Sequence, residues 1–303
     1  MPPVVIIGGS TASGKSGLAL DIAQQRDGVI INADSIQMYG DLPILTAHPS
    51  QSDLKQCPHK LYGVLATDEK TDVQKWRTMA ILECRKAHKE SKLPIIVGGT
   101  GFYLKSMIEG LSPIPQTPIE IRDMAEMRLK ELGIDAFRTE TLEFDPTIEH
   151  KIDLDNPMRL MRAWSVYKAT GKPLSTWQSL PKEGAPDGFD FTIITLRPDR
   201  EALYQRCNAR FKTMFETGAL AEVKDLKTRI ENGDAPQDAP VTRAIGYTEL
   251  SNYIDGRLKQ DEVIDIASQA TRNYAKRQTT FFKNQFKADI IVQDVAGFDL
   301  TII

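Results

Sequence analysis

The chain has 303 residues, 41% of them apolar, and a formal net charge of −3. That length allows one large domain or two, and that apolar share can bury a substantial core. No apolar run is long enough for a membrane span, no charged segment leads into a long apolar one as in a secretory signal, and the mild net charge does not by itself point to nucleic acid. Cys57, Cys84 and Cys207 form no C-x-x-C pair, and His48, His59, His88 and His150 sit at no metal-ligand spacing. Neither a disulfide framework nor a zinc site is expected, and a reducing cytoplasm is the expected setting.

The first elements alternate strand and helix. Val4–Ile7 reads as a buried strand that runs into Gly9-Ser10-Thr11-Ala12-Ser13-Gly14-Lys15-Ser16, and Ser16–Gln25 reads as a helix. In a G-x-x-x-x-G-K-S loop the glycines let backbone N–H groups turn inward around an anion. The lysine reaches a terminal phosphate, and the serine hydroxyl can ligate Mg²⁺. The helix N-terminus adds its positive dipole end. A phosphate site is therefore expected over Gly9–Ser16. A second strand over Val29–Asn32 leads to Asp34, and Thr71–Lys89 reads as a helix capped by Asp72 or Thr71. A third strand, Ile95–Val97, ends in Gly98-Gly99-Thr100-Gly101, followed by a helix over Phe102–Glu109. Short strands alternating with helices argue for a doubly wound parallel sheet, whose ligands bind beyond the C-terminal strand ends. The P-loop, Asp34 and Thr100 all follow strands directly, so all three are expected to face one crevice. The third strand carries no terminal acid of the kind that holds Mg²⁺ in a working ATPase or GTPase. That argues against a motor or GTPase and leaves a kinase or another user of a phosphorylated substrate.

The pattern changes at Leu111–Pro118, a proline-rich boundary, and again at Pro181–Gly188. Between them the chain reads as helices, Met158–Ala169 being the clearest. The expected organisation is an α/β P-loop core over 1–112 and 189–303, with a helical C-terminal part, and an all-helical insertion over 113–188. Phe189–Leu196 is expected to return to the sheet. Helices are expected at Arg200–Thr217, Leu220–Glu231, Arg243–Tyr253 and Glu262–Phe286, with Ile290–Val292 as a last strand. No acidic residue occurs between Asp265 and Asp289, while Arg272, Lys276, Arg277, Lys283 and Lys287 all fall there. On a helix Arg272, Lys276, Lys283 and Lys287 form one stripe roughly 60° wide, with Tyr274 and Phe281 on the opposite, core-facing side. A solvated face is the ordinary fate of such a run; the missing acids favour contact with a polyanion.

Asp34-Ser35-Ile36-Gln37-Met38-Tyr39 follows the second strand. A carboxylate there can be a base or a metal ligand, and Gln37 can pair with an adenine edge. A capped helix start explains the same residues equally well. Taken in order, several stretches resemble the bacterial tRNA dimethylallyltransferases, also called tRNA isopentenyltransferases, over almost the whole chain. They are the P-loop, Asn32–Tyr39, Pro58-His59-Lys60-Leu61, Val97–Tyr103, Gly110–Pro113, Asn156–Ala163, Ala244-Ile245-Gly246-Tyr247 and Thr271–Gln278. Two departures stand out. Ser10 occupies a position where the family usually has proline, and Leu45-Thr46-Ala47-His48-Pro49 stands where it usually has Gly-Thr-Ala-Lys-Pro, so no substrate contact transfers to His48. The scattered cysteines offer no zinc finger of the eukaryotic kind.

The resemblance implies alkyl transfer rather than phosphoryl transfer. The P-loop would hold the diphosphate of dimethylallyl diphosphate, and the prenyl carbon would pass to N6 of the adenosine just 3′ of the anticodon, at position 37 of the tRNA. It implies that Asp34 is the general base and that Thr100 lies near the diphosphate and the amine. Gly9, Ser10, Thr11, Ala12, Ser13, Gly14, Lys15, Ser16 and Arg210 would bind diphosphate, with Mg²⁺ on Ser16. The implied tRNA contacts are Asp34, Ser35, Ile36, Gln37, Thr100, Arg122, Met158, Arg159, Leu160, Met161, Arg162, Arg243, Ala244, Ile245, Gly246, Tyr247, Thr248, Lys276, Arg277, Gln278 and Lys283. The helical insertion would meet the anticodon stem-loop, and a cytoplasmic monomer is expected. A P-loop small-molecule kinase explains the first third but ignores the basic tail. An enzyme that prenylates free adenine nucleotides shares the P-loop and Asp34 but has no use for the stripe or the insertion. A non-catalytic RNA-binding protein is opposed by intact Lys15, Ser16, Asp34 and Thr100.

Overall fold

A computed structural model describes residues 1–184, 186 and 188–300. Ala185 and Asp187, in the second expected boundary, and residues 301–303 lie outside the described residues. The chain divides into two compact units, residues 1–108 with 186–303, and residues 109–185.

The first unit is built on six parallel strands: β1 (Pro3–Gly9), β2 (Gly28–Asn32), β3 (His59–Lys60), β4 (Leu93–Gly98), β5 (Asp190–Leu196) and β6 (Ile290–Val292), in the order β3-β2-β4-β1-β5-β6. Strand residues alternate between the two faces. Val5, Ile7, Ile30, Ile95, Val97 and Ile194 form one core with Leu18 and Ile22 of α1 (Lys15–Gln25). Val4, Ile6, Val29, Ile31 and Ile96 form the other, under Trp76, Ala80 and Cys84 of α3 (Val73–Lys89), Leu104 of α4 (Gly101–Glu109) and Phe282 of α11 (Gln260–Asn284). Both faces are covered, which is why these strands read as near-continuous apolar runs. This is the α/β, P-loop NTPase-like sheet expected from the sequence. Asp72 caps α3 by accepting from the Lys75 amide at 2.9 Å.

The short α2 (Gln51–Gln56) and β3 have no sequence counterpart in the expected set. Two residues carry no periodicity, so β3 gives no signal. The expected helix 200–217 ends as α8 (Arg200–Met214), followed by a wide turn over Phe215–Ala219 in which Gly218 has φ 125°, and then α9 (Leu220–Glu231). The expected helix 243–253 begins later, as α10 (Tyr247–Ile254), because Gly246 sits at φ 96°. The last helix is corrected in the same way. α11 ends at Asn284; Gln285, at φ −123°, leaves helical geometry, and Phe286 enters the core beside Phe282, ring centroids 5.3 Å apart. Lys287 therefore lies beyond the helix, and the stripe is shorter than expected.

The second unit contains α5 (Ile119–Phe144), α6 (Pro157–Thr170) and α7 (Leu174–Ser179). Gly133, at φ 72° and ψ 168°, breaks α5 into two segments. Asn156 caps α6 through the Met158 and Arg159 amides. α6 turns Leu160, Ala163, Trp164 and Val166 inward against Ala125, Phe137 and Ile148. Leu111 and Glu183 exchange backbone hydrogen bonds of 3.0 and 2.8 Å, so the entering and leaving chains pair at the base of this unit.

Candidate active site

β1, β2 and β4 are neighbours in a parallel sheet, so their C-terminal ends open side by side. The P-loop leaves β1. Ala12 and Gly14 both have positive φ, 59° and 98°, and Gly14 caps α1. This geometry turns successive N–H groups to one side. The amides at residues 14–17 have no carbonyl to meet within the helix and face outward from its N-terminus. Lys15 Nζ donates to the Ser10 carbonyl oxygen at 2.7 Å, and Arg210 reaches from α8 to Thr11 Oγ1 at 3.4 Å. Ser10 and Ser13 are buried, with hydroxyls that have no partner among the described residues.

Asp34 follows β2 in an Asx-type turn. Its Oδ1 accepts from the Ile36 amide at 3.0 Å and from the Gln37 amide at 3.4 Å. Asn32 organises that turn from beneath. Fully buried, it accepts from the Asp34 amide at 2.8 Å and donates to the carbonyls of Asp34 and Leu61. Trp76 adds a bond from its indole N–H to the Asn32 carbonyl at 2.8 Å. Thr100 caps the turn after β4, its amide on the Ala33 carbonyl and its Oγ1 accepting from the Ser35 amide at 3.2 Å. The structure thus ties Thr100 directly to the Asp34 turn. Asn32 was legible as a polar residue ending an apolar strand; nothing in the sequence ties Trp76 to the site.

The electrostatics converge on Asp34. Burial lowers Lys15 to about 8, with the nearby Arg210 charge acting in the same direction and Asp34 opposing both. Burial also lowers Arg210, and Asp34 again opposes. Burial pushes the hydroxyls of Tyr62 and Tyr274 up, and the Asp34 charge adds to each shift. Tyr274 is half-buried rather than plain core. His48 is lowered by burial, with Asp34 partly offsetting; its Nε2 has no partner among the described residues and its ring stands edge-on to Tyr62, 5.7 Å between centroids. Ser16 exposes its hydroxyl at the start of α1, and among the described residues no three His, Cys, Asp or Glu side chains gather to cage a cation. Mg²⁺ keeps several waters and binds through few protein ligands plus substrate phosphate oxygens, so one hydroxyl beside an anion cradle fits it.

The expected nucleic-acid residues divide by exposure. In the first unit Arg243, Thr248, Lys276, Arg277 and Lys283 are exposed, while Ile245 and Tyr247 are half-buried. Ala244 and Gly246 are buried, and a Cβ on Gly246 would come within 2.5 Å of the Phe211 ring. Those two shape the loop rather than offer a surface. Arg272 is half-buried and shared between Asn208 and Gln269. Ser35 and Ile36 flank Asp34 at intermediate exposure. Gln37 donates its amide to the Thr46 and Ala47 carbonyls, at 2.8 and 2.9 Å. Its NH₂ is already committed, so the two-point adenine contact expected for it is not available in this arrangement. Gln278 is buried with both amide atoms bonded internally, which contradicts its expected place on a tRNA-facing surface. In the second unit Arg122, Met158 and Arg159 are exposed and Met161 is half-buried. Arg162 donates to Thr117 Oγ1 at 2.7 Å. Leu160 is fully buried and belongs to the core of that unit, not to a contact face.

The family model for IPP transferase matches residues 37–285, most of the chain. The chain belongs to the IPP transferase family. That match begins after the P-loop and Asp34. The tRNA dimethylallyltransferase of Paramagnetospirillum magneticum is 44% identical over 96% of this chain and 91% of its own length. That of Rhodospirillum centenum is 40% identical over 94% and 90%. Among solved structures, a eukaryotic dimethylallyltransferase acting on tRNA superposes with a TM-score of 0.80 at 26% identity, covering 99% of this chain and 76% of that one. The tRNA isopentenylpyrophosphate transferase of Bacillus halodurans gives 0.67 at 29% identity, covering 99% and 90%.

Proposed function

We propose that this family member transfers a dimethylallyl group from dimethylallyl diphosphate to N6 of the adenosine 3′ of the anticodon in tRNA, releasing pyrophosphate. The observation that carries the reading is the presence of an anion cradle at the end of β1 and a carboxylate at the end of β2, with only β4 and its Thr100 turn between them. Asp34 has one oxygen fixed by the Ile36 and Gln37 amides, and its Oδ2 has no partner among the described residues. On this reading that oxygen accepts the amine proton. As the C1–O bond breaks and the N6–C1 bond forms, charge grows on the departing diphosphate. Lys15, Arg210 and the amides that open α1 stabilise that charge in place. Mg²⁺, when held by Ser16 and the diphosphate oxygens, adds charge neutralisation there. The acceptor base must leave the anticodon-loop stack to reach Asp34. The exposed Lys276, Arg277 and Lys283 supply a basic face for its backbone, and Arg122 and Arg159 do the same on the helical unit. The reading includes a monomer and a cytoplasmic setting, the latter suiting tRNA and three buried free thiols. No described helix is long and apolar enough to cross a membrane.

Asp34→Asn keeps the acceptor that holds the Ile36 and Gln37 amides and removes only the basic lone pair. Pyrophosphate release from dimethylallyl diphosphate, measured with an unmodified anticodon stem-loop, is expected to slow about 10²-fold or more while stem-loop affinity stays the same. Wild-type turnover in that variant would remove Asp34 from the chemistry.

A further inference from the structure

α11 presses against the active-site strand ends closely enough to require glycine. A Cβ on Gly99 would lie 2.3 Å from Gln278 Nε2, and one on Gly101 would lie 2.2 Å from the Phe281 ring. At that contact Gln278 is 6% exposed and both of its polar atoms are used. Its Oε1 accepts from the Thr11 amide at 2.8 Å, and its Nε2 donates to the Gly99 carbonyl at 2.8 Å. The two partners settle the orientation of the amide, because an N–H must face oxygen and a carbonyl must face NH₂.

β1 and β4, the strands these two turns leave, are paired as far as Gly8 and Gly98, and the Gln278 bonds carry the link on past the strand ends. Thr11 lies in the P-loop. Gly99 precedes Thr100, whose hydroxyl holds the Ser35 amide beside Asp34. The Thr11 N–H is spent on Gln278 and does not serve an anion. We propose that Gln278 is a positioning residue that sets the separation between the P-loop and the Thr100–Asp34 pair, and that it does not contact tRNA. The inference rests on the reading of the P-loop as a diphosphate site.

Two substitutions at Gln278 test it. Gln278→Met keeps the length and removes both bonds; Gln278→Glu keeps the acceptor and sets a carboxylate against the Gly99 carbonyl. Gly99→Ala displaces the same amide without changing α11, and reads the same contact if a Gln278 variant fails to fold. The measurements are Mg²⁺–pyrophosphate affinity by calorimetry, tRNA affinity with its salt dependence, and the transfer rate at saturating tRNA. Each variant is expected to weaken pyrophosphate about tenfold and to slow transfer by about 10–100-fold, the scale of an ångström-level misplacement, with tRNA affinity within about twofold of wild type. Weaker tRNA binding with unchanged pyrophosphate affinity would overturn the proposal and make Gln278 a tRNA contact. A lowered melting temperature with pyrophosphate affinity and rate both unchanged would overturn it as well, leaving a purely structural residue. Failure of the wild-type protein itself to bind pyrophosphate would instead strike the diphosphate reading, a distinguishable result.

Discussion

At Lys15 the burial that lets an ammonium meet a phosphate also makes its charge conditional. Its value of about 8 lies below the ordinary lysine value of 10.5, through desolvation first and Arg210 second. Between those two pH values the unfolded chain binds a proton that the folded chain lacks, so stability rises with pH across that window. Anion binding runs the other way, since it needs the proton on. Mg²⁺–pyrophosphate affinity is expected to fall as pH rises above about 8, with proton uptake on binding visible as a buffer-dependent calorimetric heat. Lys15→Met should bind more weakly throughout and lose that part of the pH dependence; an unchanged profile would mean Lys15 does not titrate against the anion. The Gly9–Ser16 spacing made this residue legible, because a backbone cradle needs its glycines and its lysine at fixed offsets. Gln37 and Gln278 were not legible in the same way. A glutamine's partners are set by which backbone atoms the fold brings within reach, and Thr46, Gly99 and Thr11 become neighbours only after folding.

At the scale of elements, α11 does two jobs on two faces. Its inner face carries Gln278 and Phe282 against the strand ends and Ala275 against Leu203 and Cys207 of α8, and its outer face carries Lys276 and Lys283. Periodicity showed the outer face, since charges three to four residues apart align on a helix. It did not show where the helix stops, because the pattern does not change where Gln285, at φ −123°, leaves helical geometry and Phe286 joins the core. Lys287 therefore serves as an internal control. Replacing Lys276 and Lys283 together by alanine is expected to lower the slope of log affinity against log salt for tRNA by about 1.5, taking about 0.7–0.9 per phosphate contact. Lys287→Ala should leave the slope closer to wild type. An unchanged slope in the double variant would make the stripe solvated surface only.

Across the whole molecule the sheet was the easiest part to read. Strands buried on both faces are short apolar runs, and each of β1, β2 and β4 ends directly in a chemistry-bearing turn. The insertion showed as a loss of alternation between two proline-rich boundaries. Its inner and outer faces did not separate as cleanly: Leu160 sits between exposed Arg159 and half-buried Met161, and one turn of α6 carries core and surface together. The family match and the relatives' names point to prenyl transfer onto tRNA. The donor and the target atom belong to the proposal, which the Asp34 turn and the P-loop support.

The most direct measurement is mass spectrometry of nuclease digests after the purified protein has acted on unmodified tRNA with Mg²⁺ and dimethylallyl diphosphate. A prenyl mass gain on the adenosine 3′ of the anticodon, absent without the donor and slowed about 10²-fold in Asp34→Asn, is the expected result for a general base at that position. No gain on tRNA, with gain on free AMP or ADP or with consumption of ATP instead, would contradict it and return the chain to nucleotide prenylation or to phosphoryl transfer.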